Sequence, residues 1–350
     1  MKNIQKIIFI LVFVFAVTAC KDISSINKHL IYFNYNTNEI CIMDIKTGNI
    51  EKKHRLKMEI LRGGGINNQG FSYKWHYKNN DINVYLMEKS WSSSGRLTTI
   101  YKINIDDFNI TEIFKTNTPH RANLFYFNFF INDNELFLTN LIEQSNQGHN
   151  KEFNYIILYN LLTKDETIIN FNILLPEEDQ IYASDIFVYN DSIIFTGYRD
   201  NYDIIQKRLF RYDITENLIY LIDEHVRNFS IINNLLLYDK YNKVEINIDQ
   251  DFVKTIVLDD INLNIYNLED NTYSILPYNE NYYFDYLNID NNRIIYSDWY
   301  ISEPPLYSIG LPYIDNRQVN YYIAAINKYE KKLLFSSPDR LLLLGVLDKN

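Results

Sequence analysis

Short runs of alternating apolar and polar residues, each closed by a tight polar turn, recur along the whole chain. In the first of them, residues 30–53, a strand ends at Asp44, a turn follows around Gly48, and a second strand begins. The same shape returns at further Asp or Asn markers, with spacings of 60, 56, 53, 54 and 60 residues: Asn104, Asn160, Asp213, Asn267 and Asn327. A period of this size in β-type sequence indicates a repeat architecture of six units.

Ahead of most markers lies a second repeated feature, which is a strand, a short polar turn and another strand. The examples are residues 71–86, 125–140, 185–198, 229–241 and 286–300. Their Asn-Asp and Asn-Asn pairs tolerate positive φ and suit two-residue hairpin turns. Each unit is therefore predicted to contain four antiparallel strands, A to D, with tight A–B and C–D turns.

The two ends of the chain predict how the repeats are joined. The first unit has strands B, C and D but no strand A, and a strand at 341–347 is left over after the sixth unit. We expect this terminal strand to supply strand A of the first unit, because circular closure removes the open sheet edges that invite aggregation.

A four-stranded antiparallel sheet that repeats at about 40–60 residues resembles a β-propeller blade. The plan of residues 28–350 is similar to that of the six-bladed TolB-like and YWTD-type propellers. The resemblance lies in periodicity, since YWTD, WD-repeat, kelch and sialidase Asp-box motifs are absent from the sequence. It implies an all-β, six-bladed β-propeller of four-stranded blades and carries over no functional residue. Two alternatives stay open: seven blades, if the insertion at 243–258 is a degenerate blade, or a β-sandwich.

The N-terminal residues predict export and a lipid anchor. Lys2 and Lys6 precede an apolar run of 11 residues, which is the size of a signal-peptide core and too short to span a bilayer. The run closes with VTAC, ending at Cys20, which resembles the lipobox of bacterial lipoproteins. That resemblance implies a signal peptide at 1–19, acyl chains such as palmitate on Cys20, and a short linker at 20–27. The alternative is an ordinary secretory leader with a coincidental cysteine.

The anchor would place the protein in the bacterial cell envelope, at the outer membrane, on its periplasmic or external face. If Cys20 is lipidated, Cys41 is the one remaining thiol, so an intramolecular disulfide is excluded. Its position between Ile40 and Ile42 in a strand favours a small buried residue over a nucleophile.

Net charge argues against one class of partner. The formal charge is −10, and it becomes −12 once Lys2 and Lys6 are removed with the leader. An acidic protein without a basic stripe is a poor candidate for nucleic-acid binding. We expect a monomeric propeller, tethered to the membrane through Cys20, with a protein or glycan as its ligand.

Strand order predicts which rim of the ring carries the functional site. The A–B and C–D turns share one rim and are short, so we name it the short-turn rim. The B–C and D–A connections share the other, the long-loop rim, and long loops on a rigid scaffold usually carry function. The predicted B–C loops are 88–98, 139–153, 198–206, 239–260 and 299–320.

The candidate ligand-face residues on the long-loop rim are aromatic and charged: Trp91, Arg96, His149, Tyr198, Arg199, Asp200, Trp299 and Tyr300. Trp and Tyr offer a large contact area with a polar tip, and Arg199 can form a bidentate pair with a carboxylate. The alternative is that Trp299 and Tyr300 pack between blades and that Arg199 and Asp200 form a solvated loop pair.

No sequence motif identifies a catalytic or metal site. The six histidines are scattered without zinc-ligand spacing, and neither a G-x-S-x-G elbow nor a Walker loop is present. The acidic residues at 249–251 and 259–260 lack the glycine and terminal glutamate of an EF-hand. We therefore predict no cofactor, no metal and no catalytic residue.

The leading hypothesis is a non-enzymatic, lipid-anchored propeller that binds a protein, peptide or glycan outside the cytoplasm. One alternative is a propeller-type glycoside hydrolase or lyase, whose acid/base pair or metal ligands would come from several blades. A further alternative is a structural component of an envelope assembly.

Overall fold

The computed structural model describes residues 26–349 except for gaps at 57–71, 79, 93–94, 119–123, 143–154, 176–181, 199–206, 249–253, 278–281, 284–285, 291–292, 301–318, 326–330 and 339–340. The described chain forms six antiparallel sheets and one short 3-10 helix, Phe171–Leu174. In this part of the chain no helix has the length and apolar character needed to cross a membrane.

Each sheet is one blade, and its strands are hydrogen-bonded in the order A to D. Blade one contains β1 (Lys28–Asn34), β2 (Glu39–Asp44) and β3 (Ile50–Arg55). Blade two contains β4 (Ser72–Tyr77), β5 (Asn83–Ser92), β6 (Gly95–Asn104) and β7 (Ile110–Thr118). Blade three contains β8 (Leu124–Asn132), β9 (Glu135–Ile142), β10 (Ile156–Asn160) and β11 (Glu166–Ile169).

Blade four contains β12 (Tyr182–Tyr189), β13 (Ser192–Tyr198), β14 (Arg208–Asp213) and β15 (Leu218–Asp223). Blade five contains β16 (Val226–Ile232), β17 (Leu235–Ile248), β18 (Lys254–Asn267) and β19 (Tyr273–Pro277). Blade six contains β20 (Tyr282–Tyr283), β21 (Tyr286–Asp290), β22 (Arg293–Tyr300), β23 (Val319–Ala325) and β24 (Lys331–Ser337). Both β20 and β21 pair with β22, so together they form strand A of this blade.

The last strand, β25 (Leu341–Asp348), closes the ring as predicted. It pairs antiparallel with β1, with Leu30 opposite Val346, and becomes strand A of blade one. The carbonyl oxygen of Val346 also accepts hydrogen bonds from blade two, from the Asn80 N–H at 3.0 Å and the Tyr77 hydroxyl at 3.2 Å. The C-terminal strand therefore ties together the first and second blades as well as the two ends of the chain.

The recurring Asp and Asn markers are explained by one type of turn. At five C–D turns, Oδ1 of the marker accepts the backbone N–H two residues later; at Asp44 the donor is Lys46, at 2.7 Å. The residue four positions after the marker has positive φ: Gly48, Phe108, Lys164, Asn217 and Asn271. The side chain of Asp or Asn thus satisfies the turn backbone, which is why these residue types recur. Asn327, the sixth marker, lies outside the described residues.

The blades pack through six hydrophobic clusters, one at each interface between neighbours. Alternation along β1 shows how one strand serves two of them. Ile31 and Phe33 face blade two, whereas Leu30 and Tyr32 face blade six. Successive side chains of a strand point to opposite faces of the sheet, so one strand packs against the blades on both sides of it. Cys41 is buried in the same packing, as predicted, and burial raises the pKa of its thiol.

The seven-blade alternative is excluded by the pairing within blade five. Residues 243–248 and 254–259, in the proposed degenerate blade, are continuations of β17 and β18 that pair with each other, from Lys243 opposite Asp259 to Ile248 opposite Lys254. They form a two-stranded extension of an existing blade. The prediction of a loop at 239–260 was wrong for the same reason, since 14-residue strands occupy most of it.

Candidate functional site

The innermost strands of blades three, four and five share a β-bulge. The bulged backbone N–H donates to a polar side chain eleven residues later, on strand B: Asn128 to Thr139 at 2.9 Å, Asp185 to Thr196 at 3.3 Å, and Asn228 to Asp239 at 2.9 Å. Bulges re-aim side chains and occur near functional sites. Here the residue at the bulge is Asn or Asp in each of the three inner strands.

Asp185 is the centre of a polar cluster built from three blades. Its Oδ1 accepts a hydrogen bond from Nδ2 of Asn128 at 2.9 Å, and Lys74 Nζ lies 3.9 Å from the same oxygen. Its Oδ2 accepts hydrogen bonds from Thr196 Oγ1 and Lys207 Nζ, both at 3.2 Å. Lys74 stands on blade two, Asn128 on blade three and Asp185 on blade four.

The cluster lies at the mouth of the central channel, on the long-loop side. Strand A of blade three contacts the A strands of blades two and four, so that side chains from blades two and four can meet only near the axis of the ring. Lys207 directly precedes β14, at the end of a B–C connection, and its carbonyl oxygen accepts the Val226 N–H at the start of strand A of blade five, at 2.8 Å. This B–C connection and the D–A connection that leads into blade five both belong to the long-loop rim.

Lys89 completes what we call the channel-mouth cluster: Lys74, Lys89, Asn128, Asp185, Thr196 and Lys207. In the β4–β5 hairpin, Lys89 is the cross-strand partner of Ser72, and Lys74 that of Met87. Because cross-strand partners and alternate residues share a face of a sheet, the two lysines lie on the same face of this hairpin.

Electrostatics divide the cluster into a fixed anion and a group of cations. Burial opposes ionisation of Asp185, but the charges of Lys207 and Lys74 and the hydrogen bonds outweigh it and lower the pKa of this carboxyl to about 2. Burial and the like charge of Lys74 lower the pKa of Lys89 to about 8. Asp185 is thus ionised at neutral pH, whereas Lys89, with a pKa of about 8, loses its proton more easily than an ordinary lysine.

A second polar network lies between blades four and five. Asp223, the last residue of β15, accepts hydrogen bonds from the Tyr238 hydroxyl at 2.8 Å and from Lys240 Nζ at 2.6 Å. Tyr238 is buried, and burial together with Asp223 raises the pKa of its hydroxyl. Because the partners stand on adjacent blades, this network holds blade four against blade five. The connection between these two blades is the shortest D–A connection.

The adjacent residues Trp75 and His76 pack against opposite neighbours. The Trp75 ring centroid lies 4.7 Å from that of Phe33 on blade one, and the His76 centroid lies 4.4 Å from that of Phe130 on blade three. Burial lowers the pKa of His76 to about 4, so this ring is neutral at physiological pH. Both residues belong to the packing between blades.

The backbone places four sequence-predicted residues at strand ends near the long-loop rim. Trp91 and Arg96 are cross-strand partners in β5 and β6, whose pairing continues to Ser92 and Gly95. The prediction of a loop at 88–98 was therefore wrong, because a continuous hairpin forms there. Trp299 and Tyr300 end β22 as partners of β20, so the predicted loop at 299–320 begins two residues too early.

The other candidates are less completely placed. Tyr198 ends β13 opposite Tyr182, while His149, Arg199 and Asp200 lie outside the described residues, as does Cys20. The predicted loop at 139–153 also begins too early, because β9 continues to Ile142. Contact of these eight residues with a ligand stays a prediction.

Sequence reasoning missed Lys74, Asn128 and Asp185, although a signal was present. Asn128 interrupts the aromatic run FYFNFF, and Asp185 precedes IFVY. In each case a threonine follows eleven residues later, at the position that satisfies the bulge. A polar residue within an inner strand, paired with that threonine, marks a side chain directed to the centre of the ring.

Comparisons with known proteins find similar solved structures only, all of low sequence identity. No protein-family model and no curated protein matches the chain. A solved structure from work on two prolyl endopeptidases is similar at a TM-score of 0.45 and 10% identity, covering 90% of this chain and 42% of that one. The chain thus spans less than half the length of that protein.

Two further solved structures are similar at the same level. The β-propeller domain of the Trilobed protease from Pyrococcus furiosus has a TM-score of 0.40 and 11% identity, covering 74% of this chain and 71% of that one. An oligogalacturonate lyase in complex with manganese has a TM-score of 0.45 and 11% identity, covering 89% and 73%. The class of this chain, a six-bladed β-propeller, rests on its own strand topology.

Proposed function

We propose that the chain is a lipid-anchored, extracytoplasmic β-propeller that binds a protein, peptide or glycan at its long-loop rim without catalysing a reaction. The observation that carries the proposal is the channel-mouth cluster, in which hydrogen bonds from Asn128 on blade three and Thr196 on blade four hold Asp185 beside Lys207. Charged groups held by a rigid scaffold lose little entropy on binding, which favours recognition.

The protonation state of Asp185 supports binding over acid/base chemistry. A general base works best when its pKa lies near the operating pH. With a pKa of about 2, Asp185 is a weak base, and it is suited to holding Lys207 and Asn128 in position.

The entry point of the chain supports an anchored, outward-facing arrangement. Strand β1 begins at the short-turn rim, where the Lys28 carbonyl oxygen accepts the N–H of Ile45, a C–D turn residue, at 3.1 Å. Cys20 precedes Lys28 by eight residues, which reach at most about 28 Å. A lipid on Cys20 would therefore hold the short-turn rim towards the bilayer and leave the long-loop rim facing away from it.

The test is a screen of the full chain, purified in detergent, against peptides and glycans, with binding and turnover measured on the same samples. We expect saturable binding without product, weakened in Lys207→Met and unchanged in Lys115→Met, whose lysine forms an exposed ion pair within β7. Product formation would contradict the proposal, as would binding by no member of the panel. Separately, Cys20→Ser should release the protein from membranes.

A second candidate is the propeller-type glycoside hydrolase or lyase. The observation that favours it is Lys89, because a lysine with a pKa of about 8 is suited to proton abstraction. In this case a glycan from the panel would be cleaved, and Lys89→Met would abolish turnover while leaving binding measurable. Cleavage that survives Lys89→Met would exclude Lys89 as the base.

A further inference from the structure

Blade five carries a two-stranded arm that extends beyond the rest of its sheet at the long-loop rim. Strand A of this blade, β16, pairs with β17 only as far as Lys240, and strand D also stops short of the extension. Strands β17 and β18 continue to pair with each other up to Ile248 opposite Lys254. We call residues 243–248 and 254–259 the blade-five arm.

The inner edge of the blade-five arm has no strand beside it among the described residues. Strand A is the innermost strand of a blade, so the side of β17 on which β16 lies faces the centre of the ring. The chain enters β16 at Val226 directly from Asp223, the last residue of β15 on blade four, and does not continue along that side. Alternate N–H and C=O groups of residues 243–248 therefore face a position at the channel mouth that no described strand fills.

The register of the blade-five arm makes it amphipathic, because residues directly opposite each other share one face of a hairpin. One face contains five aliphatic residues and one lysine: Val244, Ile246, Ile248, Lys254, Ile256 and Leu258. The other face is mostly polar: Lys243, Glu245, Asn247, Thr255, Val257 and Asp259. A two-stranded hairpin is only marginally stable in water, and a third strand with an apolar face is what stabilises it.

An extended polypeptide meets both requirements of the arm at once. Its backbone pairs with the free edge of β17, and its alternate apolar side chains extend the aliphatic face. A glycan lacks the regularly spaced N–H and C=O groups that continue a sheet. A second copy of the chain gains too little area, because the face measures about 20 Å by 10 Å, or about 200 Å². Each partner of a stable interface contributes about 800 Å².

We propose that the inner edge of the blade-five arm, residues 243–248, binds an extended polypeptide segment as an additional strand, in the position that β16 leaves open. The proposal rests on the proposed function, because it names the class of ligand that binds at the long-loop rim. That ligand is a polypeptide with alternating apolar residues, and its strand lies beside the channel mouth.

The test uses the full chain in lipid nanodiscs, because free detergent would itself cover an apolar face. The probe is a labelled octapeptide of alternating valine and threonine with a lysine at each end, titrated by fluorescence anisotropy. An analogue with every internal N–H methylated keeps the side chains but cannot donate backbone hydrogen bonds, and cellohexaose is the glycan probe. We expect the octapeptide to bind saturably, and neither the analogue nor cellohexaose to compete with it.

Hydrogen exchange locates the bound octapeptide. In the free chain, the amides of 243–248 that face the open edge should exchange rapidly, because no hydrogen bond protects them. The octapeptide should slow their exchange about tenfold or more, and the turn that follows Asp44, on the short-turn rim, should not change.

Two adjacent residues of the arm give a matched pair of variants. Ile246 and Asn247 lie on opposite faces, so Ile246→Thr interrupts the aliphatic face, whereas Asn247→Thr leaves it intact. We expect the first to bind the octapeptide about tenfold more weakly and the second to bind as the parent does. Threonine suits a strand in both cases, and thermal melting identifies variants that fold as the parent does.

A shortened chain removes the arm as a whole. Replacing residues 243–259 by Asn-Gly, which suits a two-residue hairpin turn, keeps the four-stranded part of blade five and should abolish binding of the octapeptide. If the shortened chain does not fold, Ile246→Thr keeps the test valid.

Four results would overturn the strand assignment. They are no binding of the octapeptide, equal binding of the methylated analogue, parent-like affinity in a folded Ile246→Thr, and slow exchange of the edge in the free chain. The last result would show that the chain itself or a second copy covers the edge. If another member of the peptide and glycan panel binds the long-loop rim, the proposed function still stands, whereas binding by no member of the panel makes the proposed function itself fail.

Discussion

Lys74 Nζ and Asp185 Oδ1 lie 3.9 Å apart, although the two residues stand on blades that are not neighbours in the ring. Blade three lies between them and contributes Asn128 to the same carboxylate, at 2.9 Å. Because only the inner strands converge, this meeting defines a point at the channel mouth where three blades are coupled. We therefore expect the same side chains to contribute to the stability of the ring and to the proposed binding.

Replacing the hub of this cluster should destabilise the ring. Asp185→Ala removes the acceptor for Asn128, Thr196 and Lys207, and we expect a loss of about 2 kcal/mol in the free energy of unfolding, because hydrogen bonds to a charged group are lost. Urea titration measures this loss. Glu112→Ala, which breaks an exposed pair, is the control and should change stability by less than about 0.5 kcal/mol. Equal effects of the two substitutions would contradict the role of Asp185.

The bulge on β8 depends on a single hydroxyl. Thr139→Val keeps the shape of the side chain but removes the acceptor of the Asn128 N–H, so we expect a loss of about 1–3 kcal/mol in the free energy of unfolding. Thr139→Ser retains the hydroxyl and should recover most of that loss. If the valine and serine variants unfold at the same urea concentration, the hydroxyl does not satisfy the bulge.

The seam at the C-terminal strand should be sensitive to acid. Burial opposes ionisation of Asp44, but hydrogen bonds from Lys349 Nζ, at 2.6 Å, and from turn N–H groups outweigh it and lower the pKa from 3.8 to about 2. Because the folded-state pKa is lowered, the unfolded chain takes up the proton first as pH falls. The stabilisation is complete above about pH 4 and is lost as pH approaches 2.

Asp44→Asn isolates this charge, since asparagine occupies the equivalent turn position at Asn104, Asn160 and Asn267. We expect the variant to be less stable at neutral pH by about 1–3 kcal/mol, because the bond from Lys349 loses its charged acceptor. The difference from the parent should shrink as pH falls from 4 towards 2 in urea titrations. A difference that stays constant over that interval would rule out the ion pair as its source.

Removing the terminal strand should destabilise the whole ring. Deleting residues 340–350 exposes the edge of β1 and removes the buried Leu341 and Val346 from the cluster between blades six and one. We expect a lower midpoint for the single cooperative transition, with hydrogen-exchange protection reduced in every blade. Loss of protection confined to blade one would show that closure matters only locally.

The sequence was sufficient for the fold because its signals are local. Each marker and its turn lie within a few residues, as at Asp44 and Gly48, and the surplus strand at 341–347 follows from counting strands. The limits of the loops were less well predicted. The Ser-rich segment at 88–98 forms a hairpin, because cross-strand pairing with β6 overrides its loop-like composition.

The candidate site could not be predicted, because the ring creates it. Lys74, Asn128 and Asp185 are separate polar residues in three strands, and nothing in local sequence states that they meet. The position of the bulge in the strand decides which side chain is directed to the channel. Register shifts, such as the one between Ala183 and Ile186, are not visible in a pattern of alternating residues.

We propose that ligands bind at the channel mouth on the long-loop rim. The most direct test is hydrogen exchange of the full chain with and without a ligand from the panel. We predict slower exchange in β4, β8, β12 and the connection before Lys207, with the C–D turns of the short-turn rim unchanged. Protection of the turns that follow Asp44, Asn104 and Asn160, without protection of the inner strands, would contradict it.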